Sequence, residues 1–206
     1  MIHRLSESIA YFYGEKVNYS KDKIEVCAYG LEIIISDVIV LFIAILISLL
    51  TKTFIHTIIL LAVFVLLRHQ VGGFHASSHF RCNMIFFVAY ISAIGLIKGV
   101  PNDTIEYLVM CFGIVGVLAI LKYAPVGHPN KPVSKKRKEK FRKTGIIMVI
   151  IFFVLSILLV AFFSDMERYA LSITFGIFYA GMSIIAEIYK RHLNKLTANQ
   201  PKDIHC

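Results

Sequence analysis

The stretch Ala28-Tyr29-Gly30-Leu31-Glu32-Ile33-Ile34-Ile35-Ser36-Asp37-Val38-Ile39-Val40-Leu41-Phe42-Ile43-Ala44-Ile45-Leu46-Ile47-Ser48-Leu49-Leu50 decides the fold. It is apolar almost throughout, and a helix needs about 20 such residues to cross a bilayer. Comparable runs recur to the far end of the chain. The 206 residues are 57% hydrophobic, with a mean hydropathy of +0.72, no tryptophan and five prolines. A soluble domain lacks the polar surface to cover so many apolar helices. The sequence therefore predicts an all-α polytopic membrane protein forming one domain over residues 1–206. Its six transmembrane helices are expected near 28–50, 53–67, 83–100, 104–123, 145–163 and 169–189.

Residues 1–27 are mixed in charge and lack an apolar core followed by a cleavage site, so they do not read as a signal peptide. Within them Ile2, Leu5, Ile9, Phe12 and Tyr13 recur at helical spacing. Such an amphipathic helix can lie in the headgroup layer or pack on its own bundle, and both readings stand. Cys27, Cys82, Cys111 and Cys206 are scattered without a CxxC, which argues against a disulfide framework. Cys111, in mid-span, is expected as a small buried apolar residue. Glu32, Lys98, Glu106 and Glu187 lie near span ends, where they can snorkel or pair. Asp37 lies deepest and is a candidate to face the bundle interior.

The chain carries 22 Lys and Arg against 13 Asp and Glu. Nineteen of these cations fall in the N-terminal segment, in the 68–82 segment, in the 122–143 connection and in the C-terminal tail. The alternate connections carry one each, Lys52, Lys98 and Arg168. By the positive-inside rule, both termini and the two long connections face the cytoplasm. That compartment is reducing, so Cys82 remains a thiol.

Between the second and third spans lies Arg68-His69-Gln70-Val71-Gly72-Gly73-Phe74-His75-Ala76-Ser77-Ser78-His79-Phe80-Arg81-Cys82. Polar and reactive groups are costly at a membrane edge, so this concentration requires a reason. Cys82 opens the third span, where Ser77 or Ser78 can cap the helix. The positive end of the helix dipole, with Arg68 and Arg81, favours the nucleophilic thiolate form there. His75 lies seven residues upstream, about 10.5 Å along a continuous helix, too far to take a thiol proton. A working pair therefore needs a loop between two helices, with Gly72-Gly73 supplying the bend.

A Cys/His pair suits acyl transfer. Two other readings stay open on spacing alone. His75 and His79 can be interfacial side chains with Cys82 a helix-start residue. Alternatively, His75, His79 and Cys82 approximate zinc-ligand spacing, although no carboxylate between the histidines supplies a base. Neither metal nor cofactor is expected.

Residues 123–144 read as a basic loop, with Lys131, Lys135, Lys136, Arg137, Lys138 and Arg142 among its cations. Such a run can anchor on anionic lipid headgroups or capture an acidic peptide. Nucleic-acid binding is disfavoured, because Phe141 alone interleaves the charge.

The pattern Arg68-x-x-x-Gly72-Gly73-x-His75-Ala76, then Ser77-Ser78 and Cys82, resembles the accessory gene regulator B (AgrB) family of membrane cysteine endopeptidases in bacterial quorum sensing. Tyr123-Ala124-Pro125 followed by Lys131-Pro132 is a second match, and the resemblance runs along essentially the whole chain. It implies a bacterial cell-membrane enzyme that removes the acidic C-terminal tail of a small precursor peptide. The retained part becomes a thioester and closes to a thiolactone or lactone. By position, Cys82 would be the nucleophile and His75 the general acid and base. Arg68 and Gly73 match positions that matter for activity, and Arg68 is expected to bind a peptide carboxylate or to order the loop. The resemblance also implies a homodimer. A peptide exporter and a non-catalytic signalling partner are the alternatives.

Overall fold

The computed structural model describes residues 2–74, 79–126 and 134–198. Seven α-helices follow one another among them: α1 Ile2–Lys16, α2 Lys21–Leu50, α3 Phe54–Val71, α4 His79–Gly99, α5 Asn102–Tyr123, α6 Lys135–Phe162 and α7 Glu167–Ala198. A single 3-10 turn, Ser164–Met166, precedes α7, and the described residues contain no β-strand. Helices α2 to α7 are each long and apolar enough to cross a membrane. The protein is an all-α polytopic membrane protein, as the apolar runs require.

Two compact units divide the helices. One holds α1, α2 and α4 up to Tyr90, and the other holds α3, the rest of α4, α5, α6 and α7. Along the chain the division falls after Phe54, after His75 and, within α4, after Tyr90.

In the first unit α1 folds back on α2 through a turn at Asn18, whose φ is +52°. The buried stripe of α1 is Ser6, Ala10 and Gly14, and Ala10 clusters with Ile24 and Ala28. Small residues four apart let two helices approach closely. Leu5, Phe12 and Tyr13 are exposed, so the apolar face expected from their spacing is turned away from α2. At the other end of α1, His3 Nδ1 meets Glu32 Oε2 at 2.9 Å, with Glu7 3.3 Å from its other ring nitrogen. The hydrogen bond to Glu32, aided by the Glu7 charge, raises the His3 pKa above 6.5. Helix α4 joins this unit through Tyr90, whose hydroxyl donates to Ala44 O at 2.9 Å. Asn83 adds a second tie, donating to Ser36 Oγ at 2.7 Å.

In the second unit α7 is central. Residues 170–177 are buried on every side, which an amphipathic surface helix would not be. Its neighbour α5 approaches backbone to backbone: a Cβ on Gly181 would stand 2.8 Å from Gly116 O. The core comprises Val63, Leu67 and Val71 of α3, Ile120 of α5, Val149 of α6, and Ile173, Ile177 and Ile184 of α7. One end of this unit gathers Gly72, Val126, Gly145 and Ser183. The opposite end gathers Arg168, the carbonyls of Ile97, Lys98 and Val100, and Asn102 Oδ1 at 2.9 Å. Thus the cation-rich connections share one end, and Lys98 and Arg168 the other.

Asp37, the candidate to face the interior, is exposed on α2, while its neighbour Ser36 takes the buried position. Two expectations need correction. Cys111 is exposed, because α5 turns Gly113, Gly116 and Ile120 inward instead. Residues 135–143 are not loop but the opening turns of α6, a segment rich in lysine and arginine, which favour helix. Of the two options open to Glu187, it pairs: it is 4% exposed and accepts a bond from Arg191 Nε at 2.9 Å, four residues on.

Candidate functional site

Helix α3 ends at Val71, and Gly72 and Gly73 follow with φ of +77° and +156°. Both angles favour glycine, which alone tolerates them without strain. Gly72 N still closes a helical bond to Arg68 O at 3.0 Å. The chain then turns against the segment after α5. Val126 N donates to Val71 O at 2.9 Å, and Gly72 and Val126 form an isolated parallel bridge. A Cβ at Gly72 would overlap the carbonyl oxygen of Val126. The Gly-Gly pair and the Tyr123-Ala124-Pro125 segment, 50 residues apart in the chain, are therefore one structural feature. The Ala124–Pro125 peptide is cis.

Arg68 spans this turn from the last part of α3. Its Nη2 donates to Phe74 O at 2.6 Å, and its guanidinium lies 5.6 Å from the centre of the Phe64 ring. Charge-assisted bonds of this length are among the strong ones. Arg68 thereby joins the end of α3 to the backbone of Phe74. Phe74 immediately precedes His75. Beside this turn Val65, Arg68, His69, Gly72 and Gly73 line an open concavity of about 270 Å³.

The root of the basic segment lies at the same place. A Cβ on Gly145 of α6 would meet Val71 Cγ1 at 2.8 Å, and the Phe141 ring meets His69 edge-on at 6.4 Å. Lys135, Lys136, Arg137, Lys138 and Arg142 are exposed in the opening turns of α6. These cations stand at a helix N-terminus, whose partial positive charge adds to theirs.

Cys82 is the fourth residue of α4, half-buried and a free thiol. Helix α3 ends at Val71, and α4 is described from His79 onward. The next residue, Asn83, ties this first turn to Ser36 of α2. His75, Ser77, Ser78 and Lys131 lie outside the described residues. Among the described residues no three His, Cys, Asp or Glu side chains assemble as a metal set.

Comparison with known proteins places the chain in a family. The family described as Accessory gene regulator B matches residues 6–186, close to the whole chain. The chain belongs to the accessory gene regulator B family. It is 28% identical over 195 residues to the AgrB-like protein 2 of Clostridium perfringens strain 13, covering 89% of this chain and 91% of that protein. It is 24% identical over 141 residues to the Accessory gene regulator protein B of Staphylococcus aureus strain RF122, covering 66% and 72% respectively. No solved structure matches significantly. The AgrB family takes part in agr quorum sensing, in which a precursor peptide is processed.

Three features of the structure were not read from the sequence. Val126 as the partner of Gly72 was foreshadowed only by the Tyr123-Ala124-Pro125 match. The tie between Asn83 and Ser36 had no local signal, because both residue types are common at helix starts and within spans. The stripe Ser6, Ala10 and Gly14 was legible as small residues four apart, but larger apolar residues drew the reading to the other face.

Proposed function

We propose that this protein is a membrane cysteine endopeptidase that also promotes cyclisation of its peptide product. The Cys82 thiolate attacks a peptide carbonyl near the C-terminal end of the precursor. The His75 imidazolium gives its proton to the departing amine, so the acidic tail leaves as a free peptide and the retained part becomes a Cys82 thioester. A thiol or hydroxyl within the retained peptide gives its proton to His75 and attacks that thioester. The ring closes as a thiolactone or lactone, and the Cys82 thiolate is regenerated.

One observation carries this reading. A half-buried thiol, Cys82, is the fourth residue of α4, and the chain that leads from α3 toward it is held as far as Phe74 by Arg68 and Val126. A loop that merely joined two spans would need no arginine committed to its backbone. Exchange of an amide for a thioester is uphill, and exclusion of water together with a pre-positioned internal nucleophile favours closure over hydrolysis.

The remaining assignments belong to the same proposal. Ser77 and Ser78 sit between base and nucleophile as capping or substrate-binding residues. Lys131, Lys135, Lys136, Arg137, Lys138 and Arg142 attract the acidic tail and also anionic lipid headgroups. The protein works as a homodimer in a bacterial cell membrane, with its termini and both long connections cytoplasmic.

The test is reconstitution in liposomes with a precursor peptide, followed by mass spectrometry. A covalent peptide adduct is expected at Cys82, and Cys82→Ala should lose both adduct and cleavage while still inserting. Persistent cleavage by Cys82→Ala would favour a role as exporter or signalling partner.

A further inference from the structure

We propose that Ser183 and Lys190 of α7 are positioning residues for the loop that carries His75. The inference rests on the peptidase reading above and extends the site to a helix that none of its motifs include.

Gly73 is buried, and a Cβ added to it would stand 2.5 Å from Ser183 Oγ and 3.3 Å from Ser183 Cβ. The hydroxyl of Ser183 donates to Ala180 O at 2.8 Å, which fixes its rotamer and turns it into a rigid stop against the loop. Two helical turns further on, Lys190 places its ammonium 5.4 Å from the centre of the Phe74 ring. That distance is within the range of cation–π attraction. Phe74 is consequently held twice, its carbonyl by Arg68 of α3 and its ring by Lys190 of α7. Between the two contacts Glu187 is buried and bonded to Arg191, so this face of α7 is internally braced.

The consequence is geometric. The residue that precedes the proposed base can neither swing away from α3 nor slide along α7. Catalytic groups lose about 100-fold in rate when displaced by about 1 Å, so such bracing acts on turnover rather than on substrate affinity. Ser183 stays small because Gly73 must pass it, and the two positions form a size-matched pair.

The experiment measures kcat and KM for cleavage of a synthetic precursor peptide with an internal cysteine and an acidic C-terminal tail, in liposomes. Lys190→Gln should lower kcat about 5- to 10-fold with KM changed less than about twofold, whereas Lys190→Arg retains the cation and most of the activity. Ser183→Val should lose roughly 100-fold in kcat, because the bulkier side chain displaces Gly73. Gly73→Ala should lose activity, and the added Ser183→Gly should restore only the part due to the obstructing hydroxyl, because the φ of +156° and Arg68 Nη1 at 3.2 Å still oppose a Cβ. Wild-type activity in Lys190→Gln, a loss confined to KM, or Arg no better than Gln would overturn the inference while Cys82→Ala remains inactive. Equal cleavage by wild type and Cys82→Ala, or none by wild type, would overturn the peptidase reading and the inference with it.

Discussion

Arg68 donates a hydrogen bond from Nη2 to the carbonyl oxygen of Phe74 at 2.6 Å, joining the end of α3 to the residue before His75. This relationship makes Arg68 a brace for the loop, and it explains why an ammonium is a poor substitute. Lysine has one compact donor group, whereas the guanidinium reaches Phe74 O with one nitrogen while lying against Phe64. Arg68→Lys should reduce kcat about 10- to 100-fold with a smaller change in KM. Steady-state cleavage in liposomes measures it, and a pure KM effect would instead assign Arg68 to substrate binding.

Gly72 and Gly30 form a natural contrast. At Gly72 the backbone has φ of +77° and a Cβ would run into Val126, whereas a Cβ at Gly30 meets nothing within 4 Å. Gly72→Ala should cost about 1–3 kcal/mol of stability and abolish cleavage. Gly30→Ala, inside α2, should be neutral or stabilise by up to about 1 kcal/mol. Thermal unfolding in detergent, followed by circular dichroism, distinguishes the two.

The tie from Asn83 to Ser36 fixes the turn of α4 that bears Cys82. Such bonds inside membranes contribute about 0.6 kcal/mol each on average. Asn83→Ala and Ser36→Ala should therefore leave the protein folded but slow acylation of Cys82. Because each removes the same bond, their effects on the acylation rate should not add in the double variant. Full additivity, read by rapid-quench mass spectrometry, would show that the pair acts independently.

His3 gives the α1–α2 hairpin a dependence on pH. Its folded pKa is raised by Glu32 and Glu7, so the attraction is fully present below 6.5 and is lost as pH rises through the higher folded value. The N-terminal helix should be released more readily from α2 above the raised folded pKa of His3 than below 6.5. Spin labels on α1 and α2 would report the distance between them across this range. His3→Gln should flatten the profile, and an unchanged profile in that variant would assign the titration to another group.

The span pattern was legible because a bilayer imposes one requirement, about 20 consecutive apolar residues, that can be read locally. Element ends were less so. Lys135–Lys143 looked like loop because of charge, yet high helix propensity extended α6 through it. Cys111 is exposed against expectation, because an apolar run has no period to show which face turns inward. In α7, where residues 170–177 are buried all round, no such period exists to be found.

Taken alone, the sequence determined the all-α membrane class, the need for a break after Val71, and the residue types available for acyl transfer. Each depends on local composition or on spacing along one helix. The tertiary structure decided the rest: that Gly72 pairs with Val126, that Arg68 is spent on Phe74, and that Ser183 and Lys190 of α7 flank the same turn. These contacts join residues that are up to about 115 positions apart, and their existence depends on which helix faces meet. Small residues at Gly116 and Gly181 allow that meeting by letting two backbones approach, and no local pattern states which partner each will find.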